Sequence, residues 1–265
     1  FSHIILLIGL SFMLVPVWMI FASSTHTSSF INTHGLQFFL GDSFQENYLR
    51  VLLYKGGFFK EITALKMFLN SFIMATGVAL LSVVTSLMAA YALVYYRIKY
   101  ATLLFWIIFI TILVPLELRI FPTYSVMAEL NLVNSYFGLI VPISASAIAT
   151  LFFRQFYKTV PDELLESAKL DGASTWRFFI DFLVPLSKTM IVAMLIFMFV
   201  FGYNQYLWPL LVTSSEQYWT VVMGLKMMSG SIVHRFAFVM MSMVPPVLII
   251  IILQKHFIKG VFQDK

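Results

Sequence analysis

Long uncharged runs alternate with short charged segments along this chain. Reading between Asp, Glu, Lys and Arg, the uncharged stretches are 1–41, 67–96, 100–116, 130–153, 189–215 and 236–254, each near or above the roughly 17 residues that a helix needs to cross a bilayer. In the first run the polar stretch Ser23-Ser24-Thr25-His26-Thr27-Ser28-Ser29 confines the apolar part to Ile4–Ala22. The pattern predicts six spanning helices, and the period-two alternation of a membrane β-barrel is absent. One segment breaks it. "ELLESAKLDGASTWRFFIDFLVPLS", residues 163–187, is charged and helix-forming, yet it lies between two runs long enough to span.

The local chemistry of that insert predicts helix, glycine turn, helix. Thr159 is placed to cap a first helix, Pro161 falls where a missing N–H costs little, and Asp162, Glu163 and Glu166 favour its positive end. Leu164, Leu165, Ala168 and Leu170 then form an apolar stripe. Gly172 supplies the stop, and Ser174 can cap a second segment, Thr175–Leu183, which ends before Pro185. The stripe must pack on the chain's own spans, on a second protein, or at the membrane interface.

Composition settles the environment. Apolar residues make up 60% of the chain, aromatics 17% and charged residues 11%, with a mean hydropathy of +0.91, against about 25% charged in a soluble domain. The chain is therefore an all-α integral membrane protein, expected to be a single transmembrane domain over 1–265. The first run exceeds the 7–15 residues of a signal-peptide core and no clear cleavage site follows, so it is expected to be a retained anchor. Opening on Phe1 implies that a few residues precede it. With no cysteine there is no disulfide, thiolate or cysteine metal site. His3, His26, His34, His234 and His256 lack metal-ligand spacing, so no metal is expected. The net charge of +5 comes from scattered Lys and Arg, which does not suggest a nucleic-acid partner.

Six spans put both termini on one side. Connections 95–99, 154–188 and 255–265 share that face, while 23–66, 117–129 and 216–235 share the other. Basic residues are denser on the first face, which carries Arg97, Lys99, Arg154, Lys158, Lys169, Arg177, Lys188, Lys255, Lys259 and Lys265, so that face and both termini are expected in the cytoplasm. The insert then lies in the cytoplasm between spans four and five. The chain contains no G-x-x-x-x-G-K-[ST] loop, so it cannot use ATP alone.

The insert resembles the coupling loop of bacterial ABC importer permeases, whose pattern runs EAA, three residues, G, nine residues, I-x-L-P. Here Glu166-Ser167-Ala168 is followed after three residues by Gly172 and after nine more by Phe182-Leu183-Val184-Pro185. Ser, Phe and Val replace Ala, Ile and Leu, while the acidic head, the glycine and the proline are kept. "FITILVPLELRIFPTY" at 109–124, "FRQFYKTVPDELLESAKLDGAS" at 153–174 and "YNQYLWPLL" at 203–211 extend the likeness, which is closest to the permease subunits of sn-glycerol-3-phosphate importers. The resemblance implies a type I importer permease in the bacterial inner membrane, with a coupling loop at about 154–188. It also implies partners: a second permease, an ATPase dimer that binds ATP and Mg, a periplasmic solute-binding protein and surrounding lipid. No cofactor is implied for this chain. Glu163, Glu166 and Asp171 would make polar contacts with the ATPase, Ala168 and Leu170 would enter its apolar groove, Gly172 would form the turn, and Pro185 would mark the return to span five.

Solute contacts have two candidate groups. Glu117 and Arg119 follow a proline at the end of span three, where charges near the membrane are functional candidates. Arg119 suits a phosphate, and the alternative is pairing with neighbouring loops. Asn204, Gln205, Tyr206 and Trp208 form a polar and aromatic group within the fifth run, serving either a solute path or interhelix hydrogen bonding. The aromatic loop 30–60, with "QFFL" and "GGFFK", suits the outer membrane surface or a binding-protein contact. The spread-out methionines suit packing. Competing functions are an oligosaccharide importer permease, an ion-coupled secondary transporter, which would show inverted repeats, and a membrane-embedded enzyme, which would need a cluster of acids or histidines inside spans two to six.

Overall fold

The computed structural model describes residues 2–53, 62–228 and 230–262. Along the chain run α1 (Ser2–Ser24), α2 (Ser28–His34), α3 (Phe44–Leu53), α4 (Ala64–Tyr95), α5 (Ala101–Ile110), α6 (Leu116–Glu129), α7 (Tyr136–Ile140) and α8 (Ala147–Tyr157). There follow α9 (Asp162–Leu170), α10 (Thr175–Phe178), α11 (Val184–Leu186), α12 (Lys188–Tyr203), α13 (Leu207–Val212), α14 (Val221–Met227) and α15 (Ile232–Phe262). Three segments, Ser2–Ser24, Ala64–Tyr95 and Ile232–Gln254, are long and apolar enough to cross a bilayer unaided. Three bent pairs bring the number to six if each pair counts as one span.

The bends mark where absence of charge was too coarse a guide. Segment 117–129, expected as a connection, is helical: Pro115 has the extended backbone of an N-cap and opens α6, which turns 105° from the helix before it. The run 130–153 is broken near Ser144–Ser146, where the chain bends by 48°, and α8 continues past Arg154 to Tyr157. The run 189–215 stops at Tyr203 and resumes at Leu207. A proline or a group of small polar residues frees backbone hydrogen bonds whether or not a charge is present.

Contacts group the chain into two compact units, residues 1–71 with 215–245 and residues 72–214 with 246–265. In the first unit α1 is apolar on every side and exposed from Ile4 to Val15, as a helix surrounded by lipid must be. The polar stretch after it is folded rather than loose. Asn47 Nδ2 donates to the carbonyls of Ser24 (2.9 Å) and His26 (2.8 Å), and Ser24 Oγ pairs with the Tyr48 hydroxyl at 2.9 Å. Burial raises the Tyr48 pKa, opposed by that bond to Ser24. His26, Phe30 and His34 stack in series, and Phe38, Phe39 and Leu40 are exposed. The "GGFFK" part of the aromatic loop lies outside the described residues. Asn70 Nδ2 donates to the carbonyls of Gln217 and Trp219, and Ser71 Oγ accepts from Val221 N, tying α4 to the segment before α14.

In the second unit α12 crosses α4 at Gly202. A Cβ there would stand 3.1 Å from the Ala75 Cα and from the Val78 Cβ, so the approach requires small residues, as close helix packing in membranes does. Trp208, at 1% exposure, donates from Nε1 to the carbonyl of Gly138 at 3.1 Å. The ordinary helical partner of that carbonyl would be residue 142, a proline without an N–H, so the indole supplies the missing donor. Trp208→Phe is expected to destabilise the chain by about 1–3 kcal/mol, the cost of a buried group left unpaired, read as a lowered Tm in detergent.

Candidate functional site

The insert folds as helix, turn, helix within the second unit. Its first helix, α9, starts at Asp162, with Pro161 as N-cap and no side-chain cap. Thr159, expected in that role, instead donates to the Phe156 carbonyl. Asp162 and Glu163 occupy the first turn, where carboxylates meet the positive end of the helix. The stop is a Schellman turn: Gly172 N bonds to Lys169 O at 3.0 Å and Ala173 N to Ala168 O at 2.9 Å, with Gly172 at φ +76°. Ser174 then caps α10 by accepting from Arg177 N.

Pro185 does not end the second helix as expected. Residues 179–183 take a π turn in which Val184 N reaches back to Phe179 O, and helix continues through Leu186. The wider turn gives the proline ring room that an α turn would fill with the carbonyl four residues earlier. The bend comes at Ser187, between Leu186 and Lys188, and measures 75°.

The stripe divides between inside and outside. Leu170 is 89% exposed and Trp176 is exposed close to it in sequence, as are Glu163, Glu166, Asp171 and Gly172. Ala168, expected in a partner's groove, is 2% exposed and packs in the chain's own core. Leu164 and Leu165 also lean on that core. The exposed residues of α9 and the turn thus include Leu170 together with Glu163, Glu166, Lys169 and Asp171. Arg177 and Asp181 pair at 3.2 Å on the exposed side, which contributes little to stability.

The core under the insert is aromatic. Phe178 is 1% exposed and meets Tyr95 of α4, Tyr95 meets Tyr157 of α8, and Phe179 lies 4.8 Å from Tyr91 between ring centroids. The Tyr91 hydroxyl donates to the Thr175 carbonyl at 2.6 Å. Sequence reasoning connected the insert to span five through Pro185 and missed this connection to α4 and α8. Its signal was "YALVYY" at 91–96, tyrosines four apart at the end of a span. Arg154, counted among the water-facing basic residues, is instead buried, with its guanidinium 3.8 Å from the Phe105 ring centroid.

A cavity of about 310 Å³ lies in the same unit. Its walls include Thr111, Arg119, Thr123, Ser146, Phe201 and Trp208. Glu117 and Arg119 are both exposed on α6, and two positions apart they face different ways. Of the pair only Arg119 lines the cavity, and no salt bridge joins it to a carboxylate among the described residues. From the fifth-run group only Trp208 reaches it. Asn204 is the exposed C-cap of α12, and Gln205 Nε2 donates to the Phe201 carbonyl at 3.3 Å. Tyr206 is the N-cap of α13.

Apolar helices around an open cavity, with a charged helix pair left on the surface, suit the membrane component of a transporter. Residues 82–263 match the family of binding-protein-dependent transport system inner membrane components, and the chain belongs to that family. It is 39% identical to the sn-glycerol-3-phosphate transport system permease proteins UgpE of Pectobacterium atrosepticum and of Escherichia coli K12, over 271 residues in each case. The UgpE of Yersinia pestis bv. Antiqua is 39% identical over 272 residues. All three alignments cover 100% of this chain and 96% of the relative. In fold it is similar to a chain of a bacterial ABC transporter involved in the import of the acidic polysaccharide alginate, with a TM-score of 0.80, 21% identity, and 97% of this chain and 95% of that chain covered. The protein is a permease subunit of an ABC importer, a non-catalytic component of the inner membrane.

Proposed function

We propose that this permease carries sn-glycerol-3-phosphate or a related glycerophosphodiester, sharing the translocation path with a second permease. The observation that carries this is the 39% identity along the whole chain to permeases of sn-glycerol-3-phosphate systems. An oligosaccharide solute has no comparable support, since likeness to the alginate importer at 21% identity speaks to fold alone. A periplasmic binding protein delivers the solute, and an ATPase dimer that binds ATP and Mg drives the cycle. The termini and the α9–α10 turn face the cytoplasm, in keeping with the density of basic residues on that side. There Leu170 enters a groove of the ATPase while Glu163, Glu166 and Asp171 make polar contacts and Gly172 holds the turn. A helix seated in a partner's groove follows that partner when it closes on nucleotide, which biases the spans between two openings.

The test is ATP hydrolysis by the reconstituted complex with its binding protein, measured against a panel of solutes. Phosphorylated glycerols are expected to stimulate hydrolysis and to accumulate inside the vesicles. Stimulation by neutral or uronate oligosaccharides, with none by the phosphorylated compounds, would refute the assignment.

A further inference from the structure

The cavity between Thr111 and Trp208 takes no part in the coupling described above, and we propose that it is an anion subsite where this permease holds the phosphate of its solute during passage. The proposal rests on the phosphorylated solute of the preceding subsection and adds the place in this chain where its charged end binds. The volume of about 310 Å³ is at the small end of ligand pockets, suited to a three-carbon phosphate.

Arg119 is the one charged residue on the wall. Arg119 stands exposed on that wall, and no carboxylate among the described residues forms a salt bridge with it. Its guanidinium is therefore available to an anion, and offers phosphate two parallel hydrogen bonds. The same wall has no acidic residue to repel an anion.

The remaining polar groups fit the rest of such a solute. Thr111 Oγ1 donates to Ile108 O and Thr123 Oγ1 to Arg119 O, so both oxygens keep lone pairs that can accept from solute hydroxyls. Ser146 Oγ accepts from Ala149 N at 3.1 Å and keeps its own hydrogen for a phosphate oxygen. Phe197, Phe201 and Trp208 present apolar surface for the carbon chain, and the Trp208 N–H is already committed to Gly138. Arg119 is exposed, so the site is one cation in an open wall. It holds the solute loosely enough for onward release, as a conduction path requires.

The absence of cysteine from this chain permits a direct test. Arg119→Cys is placed in the complete importer, with cysteine-free partner subunits and the binding protein, in proteoliposomes. Uptake of sn-glycerol-3-phosphate is expected to fall by about 30-fold or more, as when a charge-assisted bidentate contact is lost. Aminoethyl methanethiosulfonate, which returns a positive charge to the thiol, should restore most of the uptake, and the negatively charged sulfonatoethyl reagent should restore none. Equal rescue by both reagents, or wild-type uptake by the unmodified variant, overturns the subsite. Should Arg119→Cys fail to assemble, Arg119→Lys is expected to keep uptake within about tenfold of wild type, since it retains the point charge, while Arg119→Met does not. Equal uptake by those two also overturns it. If the wild-type complex moves no phosphorylated solute, the solute assignment falls and the subsite with it. If wild type and all Arg119 variants move it alike, only the subsite falls.

Discussion

Leu170→Glu is expected to release the ATPase from the purified importer while leaving this chain folded and paired with the second permease. At 89% exposure Leu170 makes few contacts within the chain, so its replacement should shift the chain's own stability by no more than about 0.5 kcal/mol. Docked in an apolar groove, the same side chain contributes about 1.5–3 kcal/mol, and a carboxylate in its place would be buried without a partner. At roughly 1.4 kcal/mol per tenfold in affinity, the two effects together weaken the complex by about 100-fold or more. Gly172→Asp tests the geometry behind the knob. A Cβ at Gly172 meets nothing within 4 Å, but φ is +76°, and an L-residue held there costs about 1–2 kcal/mol. Relaxing that strain disturbs the Gly172 N–Lys169 O and Ala173 N–Ala168 O bonds that close α9 beside Leu170, so this variant should also lose ATPase. Glu166→Lys should weaken the contact less. The measurement is the ratio of ATPase to permease after affinity purification, and wild-type retention by Leu170→Glu would end the case for this surface.

The parts of the insert that were legible from sequence are those whose chemistry is local. Ser174 bonds to the amide three residues on, and Gly172 takes a backbone conformation that few other residues tolerate, so each announces its role without reference to the rest of the fold. Ala168 and Leu170 carry no such label. Both belong to one apolar stripe, and only the position of α9 on the aromatic core decides that Ala168 turns inward and Leu170 outward. Arg154 was misplaced because charge is usually solvated, and the aromatic face of Phe105 that receives it is 49 positions away in sequence. Glu117 and Arg119 read as one charged pair, and became one cavity residue and one bystander only once Pro115 was seen to start a helix. Local rules found the turn, while tertiary packing chose which of its side chains stay exposed.

Phe178→Ala is expected to separate gripping from transmission. Phe178, at 1% exposure, joins the insert to Tyr95 of α4, and its truncation removes a buried ring at a cost of about 3–5 kcal/mol. The exposed surface around Leu170 is untouched, so the ATPase should remain bound. A densely packed core passes displacement on because its side chains cannot give way. With a void at 178, part of the movement of α9 and α10 is spent closing that void instead of displacing α4 and α8. The complex should therefore still hydrolyse ATP with the binding protein present but import far less solute per ATP. Tyr91→Phe should fall between this variant and wild type, since it loses a single hydrogen bond to Thr175 O, worth about 1 kcal/mol, and keeps the ring. The two variants bracket the route. If Phe178→Ala imports as much solute per ATP as wild type, the push reaches the spans along α11 and α12 alone, and the aromatic core only stabilises the fold.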